Sequence, residues 1–381
     1  MNAICSNVTS RNVTSSNVTL HCGNDIYLVN TASVNTKFDQ ALVSDEVLWT
    51  FTAIVDTWFS LVIAFLGIIG NTLTIVVFKT MGFKDTINIT MTTIAFWDLV
   101  RVLCGFIHRF YGPFSLLSPP LGRSWQNATY PNINSLQNIA TNIAYVMGAY
   151  VAMERCLCIS FPLRVKSMMT PNNTWLTCIA LSAIVLATLF PSLFFLEVQW
   201  IKKSTFDQPE AKYQFSDFYY TYGQVYIDFY KNFNFLYPLL SLIIMVSSTV
   251  VIVYILYKSS AFRGHLINTP LLSKPATKND SKFSKRDLQV VKMLLLVILT
   301  YALVLVPRVT NFFVQFFEPE FSTLRYYNNI ARLIVYLILF LDFFNSSSGI
   351  LIFIYMSSKF RSSLKLIVSF GVLRKRLNKN H

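Results

Sequence analysis

The chain has 381 residues, of which 54% are hydrophobic and only 13% are charged, and its mean hydropathy is +0.48. One soluble domain of this length cannot bury so much apolar surface, so the composition indicates a membrane protein. The formal net charge of +14 is concentrated in alternate loops and at the C-terminus. That distribution is typical of membrane topology and argues against a nucleic-acid-binding surface.

The first 48 residues are polar and are predicted to form a glycosylated extracellular segment. They carry three tandem Asn-Val-Thr acceptors at Asn7, Asn12 and Asn17, and a fourth acceptor, Asn127, lies in a later outer segment. No basic and apolar leader precedes them, so we expect the first span to act as an uncleaved targeting signal. Cys5 and Cys22 are the cysteines placed outside, where an oxidising compartment allows them to form a disulfide.

Seven windows are apolar and long enough to cross a bilayer, which takes about 20 residues. They are 49–78, 87–111, 132–159, 174–196, 227–257, 288–316 and 326–356. Lysine and arginine are concentrated in the loops at 79–86, 161–173 and 258–287 and in the tail, so the positive-inside rule places these segments in the cytosol. The predicted fold is all-α: an outer segment at 1–48, a seven-transmembrane helix bundle at 49–356, and a short amphipathic eighth helix with a basic cytosolic tail at 357–381.

An acidic and a basic residue, Glu154 and Arg155, stand at the inner end of the third predicted span. Charges at the edge of a span are costly unless they are paired or used. Elsewhere the sequence contains no Walker loop, nucleophile elbow or zinc motif, and its four histidines are scattered. The motifs therefore give no reason to predict an enzyme, and no cofactor is expected apart from the sodium ion considered below.

With these residues in their order and spacing, the segment 51–365 resembles the rhodopsin-like (class A) G-protein-coupled receptors. The matching residues are Asn71, Asp98, Glu154, Arg155, Pro238, Pro307, Asn345, Ser346 and the run from Lys359 to Arg361. The segments 82–90 and 154–159 resemble, more narrowly, chemosensory and neuropeptide-type receptors of gastropod molluscs. The resemblance implies a plasma-membrane receptor that transmits binding of an extracellular small molecule or peptide to a heterotrimeric G protein.

The resemblance also implies a polar core around Asp98. In such receptors this carboxylate helps to hold a sodium ion with nearby polar groups, here Asn71, Asn345 and Ser346. Arg101 lies one helical turn from Asp98, at a spacing that lets the two side chains meet. The alternatives are therefore a sodium ion at Asp98 and an Asp98–Arg101 pair that replaces it.

By the same resemblance, Arg155 is an activation switch that is held by Glu154 and Asp287 and then moves to meet the G protein. The alternatives are an Arg155 that extends to the lipid headgroups and an Asp287 that is simply solvated. Pro238 and Pro307 lack a backbone donor inside their helices and predict bends there. The basic third inner loop and the tail helix predict a cationic surface for the transducer and for anionic membrane lipid.

Several cations cluster toward the outer ends of their spans and are candidates for ligand binding. They are His108, Arg109, Arg308 and Arg332, joined by Gln137 at the place where amine receptors carry an aspartate. Gln137 disfavours an amine ligand, and the cations favour a carboxylate. Alternatively, the cations pair with Asp56 or Asp342.

Three departures from the family pattern keep other functions open. Tyr130 replaces the first cysteine of the usual outer disulfide, and the segment 198–226 contains no cysteine. The residues before Pro307 are Val-Leu-Val, and the seventh span has Gly-Ile-Leu-Ile-Phe at 349–353 instead of the Asn-Pro-x-x-Tyr motif. The alternatives are a non-signalling membrane scaffold and a seven-span transporter, which is expected to show pseudo-repeats or broken helices.

Overall fold

A computed structural model describes residues 8–14, 17–22, 25–30, 42–161, 165, 169–202, 209–267, 285–322 and 325–377. Within these ranges, the structure describes the backbone alone at 8–14, 17–22, 25–30, 202, 224, 256, 259–267, 285–291, 294, 368 and 370–377. The helices are α1 (Asp45–Met81), α2 (Thr86–Arg109), α3 (Tyr111–Leu117), α4 (Pro119–Thr129), α5 (Ser135–Ser160), α6 (Pro171–Leu189), α7 (Asp217–Ile267), α8 (Lys285–Phe317), α9 (Asn328–Met356) and α10 (Ser358–Leu377).

The fold class predicted from the sequence is confirmed. In the described part of the chain, seven spans are long and apolar enough to cross a membrane, and they contain α1, α2, α5, α6, α7, α8 and α9. Some helices exceed the predicted windows. The helix α7, for example, extends beyond 227–257 at both ends, because an apolar window marks the lipid-crossing part of a helix, whereas the hydrogen-bonded backbone continues past it.

Local signals explain where α1 begins and ends. The hydroxyl of Ser44 accepts a hydrogen bond from the amide of Val47 at 3.3 Å, and Asp45 and Glu46 lie in the first turn. Both features stabilise a helix N-terminus. At the other end Gly82 has a φ of 84°, a conformation that favours glycine and terminates the helix. Residues Thr52–Phe59 form a π-helical segment within α1 that the sequence pattern did not predict.

The helix α5 lies at the centre of the bundle. In the most apolar window of its span 61% of residues are buried, against 22% in the span that contains α6. The core of the bundle forms around Ile139, Ile143 and Tyr145, all fully buried. Large apolar side chains such as Leu176 and Leu303 are exposed instead, as expected where lipid is the solvent.

The last helix packs against the bundle through one aromatic side chain. Phe360 of α10 is 1% exposed, and its ring lies 5.5 Å from the rings of both Phe78 of α1 and Phe353 of α9. A buried aromatic residue of this kind fixes the start of a helix against its neighbours. The backbone of α10 remains helical to Leu377, so the predicted short helix continues through most of the basic tail segment at 357–381.

Two small sheets add to the predicted helices. Strands β1 (Val8–Thr14), β2 (Asn17–Cys22) and β3 (Asp25–Asn30) form an antiparallel sheet in that order. Strands β4 (Leu196–Lys202) and β5 (Pro209–Phe215) form an antiparallel pair between α6 and α7. The predicted acceptors Asn12 and Asn17 fall in β1 and β2. Asn7 and Cys5 lie outside the described residues, so the proposed disulfide with Cys22 stays a prediction.

Candidate functional site

A cavity of about 660 Å³ lies at the end of the bundle that carries the β4–β5 hairpin. Side chains from α5, α7, α8 and α9 line it, together with Leu196 of β4 and Phe215 of β5. Its volume falls within the range of about 300–1,000 Å³ that is usual for small-molecule sites. The cavity is therefore large enough for a small organic ligand or for the end of a peptide.

A network of amides joins α5 to α7 beside the cavity. The Nδ2 atom of Asn138 donates to Oδ1 of Asn234 at 2.7 Å and to the hydroxyl of Tyr230 at 3.0 Å. Asn142, one turn further along α5, donates to the same Oδ1 of Asn234 at 3.1 Å. Sequence reasoning missed this network, although its signal was present as asparagines four residues apart within an apolar span.

Two further amides line the cavity with an oxygen that lacks a partner. The side chain of Gln137 is on α5 and that of Asn311 is on α8, and these residues are 1% and 9% exposed. Oε1 of Gln137 and Oδ1 of Asn311 accept no hydrogen bond from any described residue. Leaving a buried carbonyl oxygen unpaired costs stability, so a donor that reached it would be favoured.

Arg308 connects three helices at the cavity wall. Its Nη2 atom donates to Oδ2 of Asp342 on α9, and its Nε atom donates to the hydroxyl of Tyr145 on α5 at 3.1 Å. The hydroxyl of Tyr145 in turn donates to Oδ1 of Asp342. From the sequence, Arg308 could bind a ligand or pair with an aspartate such as Asp342. The structure pairs it with Asp342 and adds Tyr145, which sequence reasoning missed.

Arg109 and His108, the two ligand-binding candidates on α2, contact other groups of the protein. Nη2 of Arg109 donates to Oδ1 of Asp56, its Nε donates to the Asp56 carbonyl at 2.6 Å, and the guanidinium lies 4.5 Å from the centre of the Phe343 ring. Nδ1 of His108 lies 2.8 Å from the hydroxyl of Thr129. For Arg109 the structure therefore gives the ion pair that the sequence left as the alternative to ligand binding.

Of the five predicted ligand-binding residues, two line the cavity. They are Gln137 and Arg308. Arg332 is exposed and donates to the hydroxyl of Tyr336 at 3.1 Å, outside the cavity lining. The prediction grouped these residues by their depth along each span, which cannot show the direction in which a side chain points.

The polar core contains an ion pair with a third partner. Oδ1 of Asp98 accepts from Nη2 of Arg101, and Oδ2 accepts from the hydroxyl of Tyr301 on α8 at 2.9 Å. Arg101 is fully buried, and its Nε and Nη1 atoms have no partner among the described residues. The two side chains meet at the i,i+3 spacing of one helix, as the Asp98–Arg101 alternative required.

The residues around Asp98 do not fit a sodium ion. A hard cation requires several oxygen ligands, but both carboxylate oxygens are engaged by donors and Arg101 supplies the positive charge. Asn71 donates from Nδ2 to the carbonyls of Gly67 and Ser346 at 3.0 and 3.1 Å. Asn345 is buried beside them, with neither amide atom hydrogen bonded to a described residue.

At the opposite end of α5, Glu154 accepts two hydrogen bonds. Its Oε1 atom accepts from Nη2 of Arg155 at 2.5 Å and from the hydroxyl of Thr86 on α2 at 2.7 Å. The Glu154 side chain is fully buried, whereas that of Arg155 is 11% exposed. The side chain of Asp287 lies outside the described residues, so its predicted contact with Arg155 stays a prediction. Pro307 lies inside the continuous helix α8.

Comparison with known families assigns the chain to one of them. Residues 58–371 match the model of the family described as serpentine type 7TM GPCR chemoreceptor Srw. The chain belongs to this family of serpentine chemoreceptors. The match runs from α1 through all seven spans and into α10. No curated protein is similar enough to the chain to extend this assignment. The class A and gastropod resemblances are finer than the family match and stay predictions.

This serpentine chemoreceptor holds its β4–β5 hairpin in place without the disulfide that Tyr130 replaces. The ring of Tyr130 stacks on that of Tyr213 on β5, with 4.9 Å between ring centroids. The backbone of Ala211 accepts from Nδ2 of Asn127 at 2.9 Å and donates to the hydroxyl of Ser124 at 3.3 Å. Both side chains belong to α4, so the hairpin is bound to the segment that precedes α5.

The same contact changes the expectation for Asn127. A glycan is attached at the asparagine Nδ2 atom, and in this chemoreceptor that atom donates to the carbonyl of Ala211. Asn127 also lies within α4 and is partly buried. The sequence predicted glycosylation at this position from the acceptor pattern alone. We expect the folded structure to disfavour it, because the glycan would replace one of the two hydrogens of an Nδ2 atom that already contacts the hairpin.

Proposed function

We propose that this chemoreceptor is a plasma-membrane receptor that binds an extracellular ligand in the 660 Å³ cavity and activates a heterotrimeric G protein at the Arg155 end. The proposal places the glycosylated N-terminal segment outside and α10 in the cytosol, in agreement with the positive-inside rule. It includes the rhodopsin-like mechanism predicted from the sequence, in which Arg155 leaves Glu154 to meet the transducer.

One observation carries the proposal. The cavity and the Glu154–Arg155 pair lie at opposite ends of the same buried helix, α5. Gln137 lines the cavity, and the rise per residue of an α-helix separates it from Glu154 by about 25 Å. A single central helix therefore contacts both the ligand cavity and the pair at the far end. This arrangement suits a receptor better than a scaffold, which has no use for a cavity and a buried charged pair on the same helix.

Cells that express the full chain test this proposal. We expect a G-protein dissociation sensor to report basal or ligand-stimulated activity that Arg155→Ala abolishes. Lys212→Ala is the control, because Lys212 is an exposed cation of β5 outside the cavity lining, and it should signal like the unmodified receptor. Epitope tags should be accessible on intact cells at the N-terminus and not at the C-terminus. Equal signalling by Arg155→Ala and the unmodified receptor would favour the scaffold.

A further inference from the structure

The wall of the ligand cavity carries positive charge. Lys231 of α7 and Arg308 of α8 both line it, and no aspartate or glutamate is among the described residues that do so. Asp342 neutralises Arg308, but this aspartate is 1% exposed and does not line the cavity. A concave site with charge of one sign raises the local concentration of ligands of the opposite sign.

Arg308 is positioned to donate to such a ligand. Its Nη2 and Nε atoms are fixed by Asp342 and Tyr145, while Nη1 makes no hydrogen bond within the described chain. A guanidinium is planar, so two fixed nitrogens also fix the direction of the third. The Arg308 side chain lines the cavity and is 12% exposed, so part of it is accessible to a ligand.

Besides negative charge, the unpartnered oxygens of Gln137 and Asn311 favour a second feature in the ligand, a hydrogen-bond donor. Both residues line the cavity, and a rotation of each side chain brings its buried oxygen to a ligand as an acceptor for N–H or O–H donors. A free ammonium group is a poor candidate for that donor, because the described lining offers it no carboxylate and the charge of Lys231 repels it. An amide N–H is a neutral donor that meets the same need. Aromatic side chains such as Phe195 and Phe312 leave the rest of the lining suited to an apolar group.

We propose that the cavity binds an acylated amino acid with a free carboxylate, either as a small N-acyl amino acid or as the C-terminal residue of a peptide. The carboxylate binds Nη1 of Arg308 within the field of Lys231, and the amide N–H donates to Gln137 or Asn311. In a peptide, a second amide N–H serves the other acceptor. This inference rests on the proposed function, because it takes the cavity as the ligand site.

Thermal unfolding of the purified full-length receptor tests the ligand class without signalling. The probes are N-acetyl amino acids with apolar side chains, short peptides with a free C-terminus, and the C-terminal amides of both sets. We expect the free acids to raise the unfolding temperature and their amides to leave it unchanged. Stabilisation by single residues identifies a small-molecule ligand, and stabilisation by peptides alone identifies a peptide. Equal effects of acids and amides, or no effect of any acid, overturns the proposal.

Two variants locate the carboxylate. Lys231→Gln should weaken the binding of the active acid by roughly tenfold, whereas Lys212→Gln, an exposed lysine of β5 outside the cavity lining, should not. The double variant Arg308→Gln/Asp342→Asn keeps a neutral hydrogen-bonding pair and should abolish binding. Unchanged affinity in Lys231→Gln and in the double variant contradicts the assignment. Binding of acids to a receptor that activates no G protein would instead contradict the proposed function and leave this inference standing.

Discussion

Tyr301 of α8 donates a hydrogen bond of 2.9 Å to the carboxylate of Asp98 on α2, whose other oxygen binds Arg101. This contact ties α8 to the polar core through the protein's own groups. In the family resemblance the corresponding carboxylate binds a sodium ion. Here the guanidinium of Arg101 binds the carboxylate instead, and we expect the core not to depend on the surrounding cation.

Replacing potassium with sodium should therefore leave the receptor unchanged. We expect the unfolding temperature of the purified protein to be the same in the two salts at equal ionic strength, because Asp98 has no free oxygen for the ion. Arg101→Leu is the comparison variant, since it frees the carboxylate and should become more stable in sodium than in potassium. A sodium-dependent shift in the unmodified receptor would show that the ion displaces Arg101.

Removing Arg101 should also reveal the cost of an unpaired buried charge. Breaking a buried pair by deleting one partner costs about 3–5 kcal/mol, so Arg101→Leu should unfold at a much lower temperature or reach the cell surface poorly. The double variant Asp98→Asn/Arg101→Leu leaves no charge behind and should recover most of the loss. Tyr301→Phe removes one hydrogen bond and should cost only about 0.6 kcal/mol, the average measured for such bonds in membranes. Equal losses in the single and double variants would contradict the pairing.

Gly105 allows α2 and α9 to approach closely. A Cβ atom at this position would overlap Cε1 and Cζ of Phe343, a fully buried ring beneath the guanidinium of Arg109. The ring has little room to move, so Gly105→Ala should destabilise the receptor by about 1–3 kcal/mol, the usual cost of overpacking. Gly349→Ala is the matched control, because its Cβ would meet Phe353 at an ordinary 4.0 Å. Thermal unfolding of the two variants measures the difference, and equal stability would argue against the close contact.

Neutralising Glu154 should raise basal signalling under the proposed function. Glu154→Gln weakens the contact that holds Arg155 and keeps the volume of the side chain, so the resting state loses more stability than the active state. Thr86→Val removes the second hydrogen bond to Glu154 and leaves the ion pair intact, so its effect should have the same sign and be smaller. A G-protein dissociation sensor at matched surface expression measures both. Lower basal output in Glu154→Gln would contradict a restraining role for this residue.

Glycosylation should distinguish the N-terminal acceptors from Asn127. Receptor made in eukaryotic cells should migrate more slowly on a gel because of its glycans. We expect this shift to disappear when Asn7, Asn12 and Asn17 are all changed to glutamine. Asn127→Gln should leave the shift unchanged, because Nδ2 of Asn127 is engaged by Ala211. A glycan detected at Asn127 by mass spectrometry would show that the hairpin contact forms after modification or not at all.

The sequence predicted the spans well because lipid imposes a simple rule. A membrane helix needs a continuous apolar window, and that window is visible without any knowledge of packing. The Asp98–Arg101 pair was visible for a related reason, since both residues belong to one helix and its geometry fixes their spacing. Contacts within one helix can therefore be predicted from the sequence.

Contacts between helices could not be predicted in the same way. Arg308, Asp342 and Tyr145 come from α8, α9 and α5, and their meeting depends on how each helix is rotated about its axis. The sequence offered Asp56 and Asp342 as alternative partners for several cations but could not assign them. It also missed Asn234 and the β4–β5 hairpin, because a short polar strand pair between two apolar windows produces no periodic signal strong enough to separate it from a loop.

The contacts that hold the β4–β5 hairpin are of a kind that reducing agents do not break. Tyr130, Tyr213, Asn127 and Ser124 hold it through ring stacking and hydrogen bonds, and the free cysteines found among the described residues all lie on α2, α5 and α6. Among the described residues of the hairpin and of α4, thiol reductants therefore have no bond to cleave. Synthesis in a reducing cell-free extract, with lipid discs added, should yield the same ligand-binding surface as synthesis through the secretory pathway.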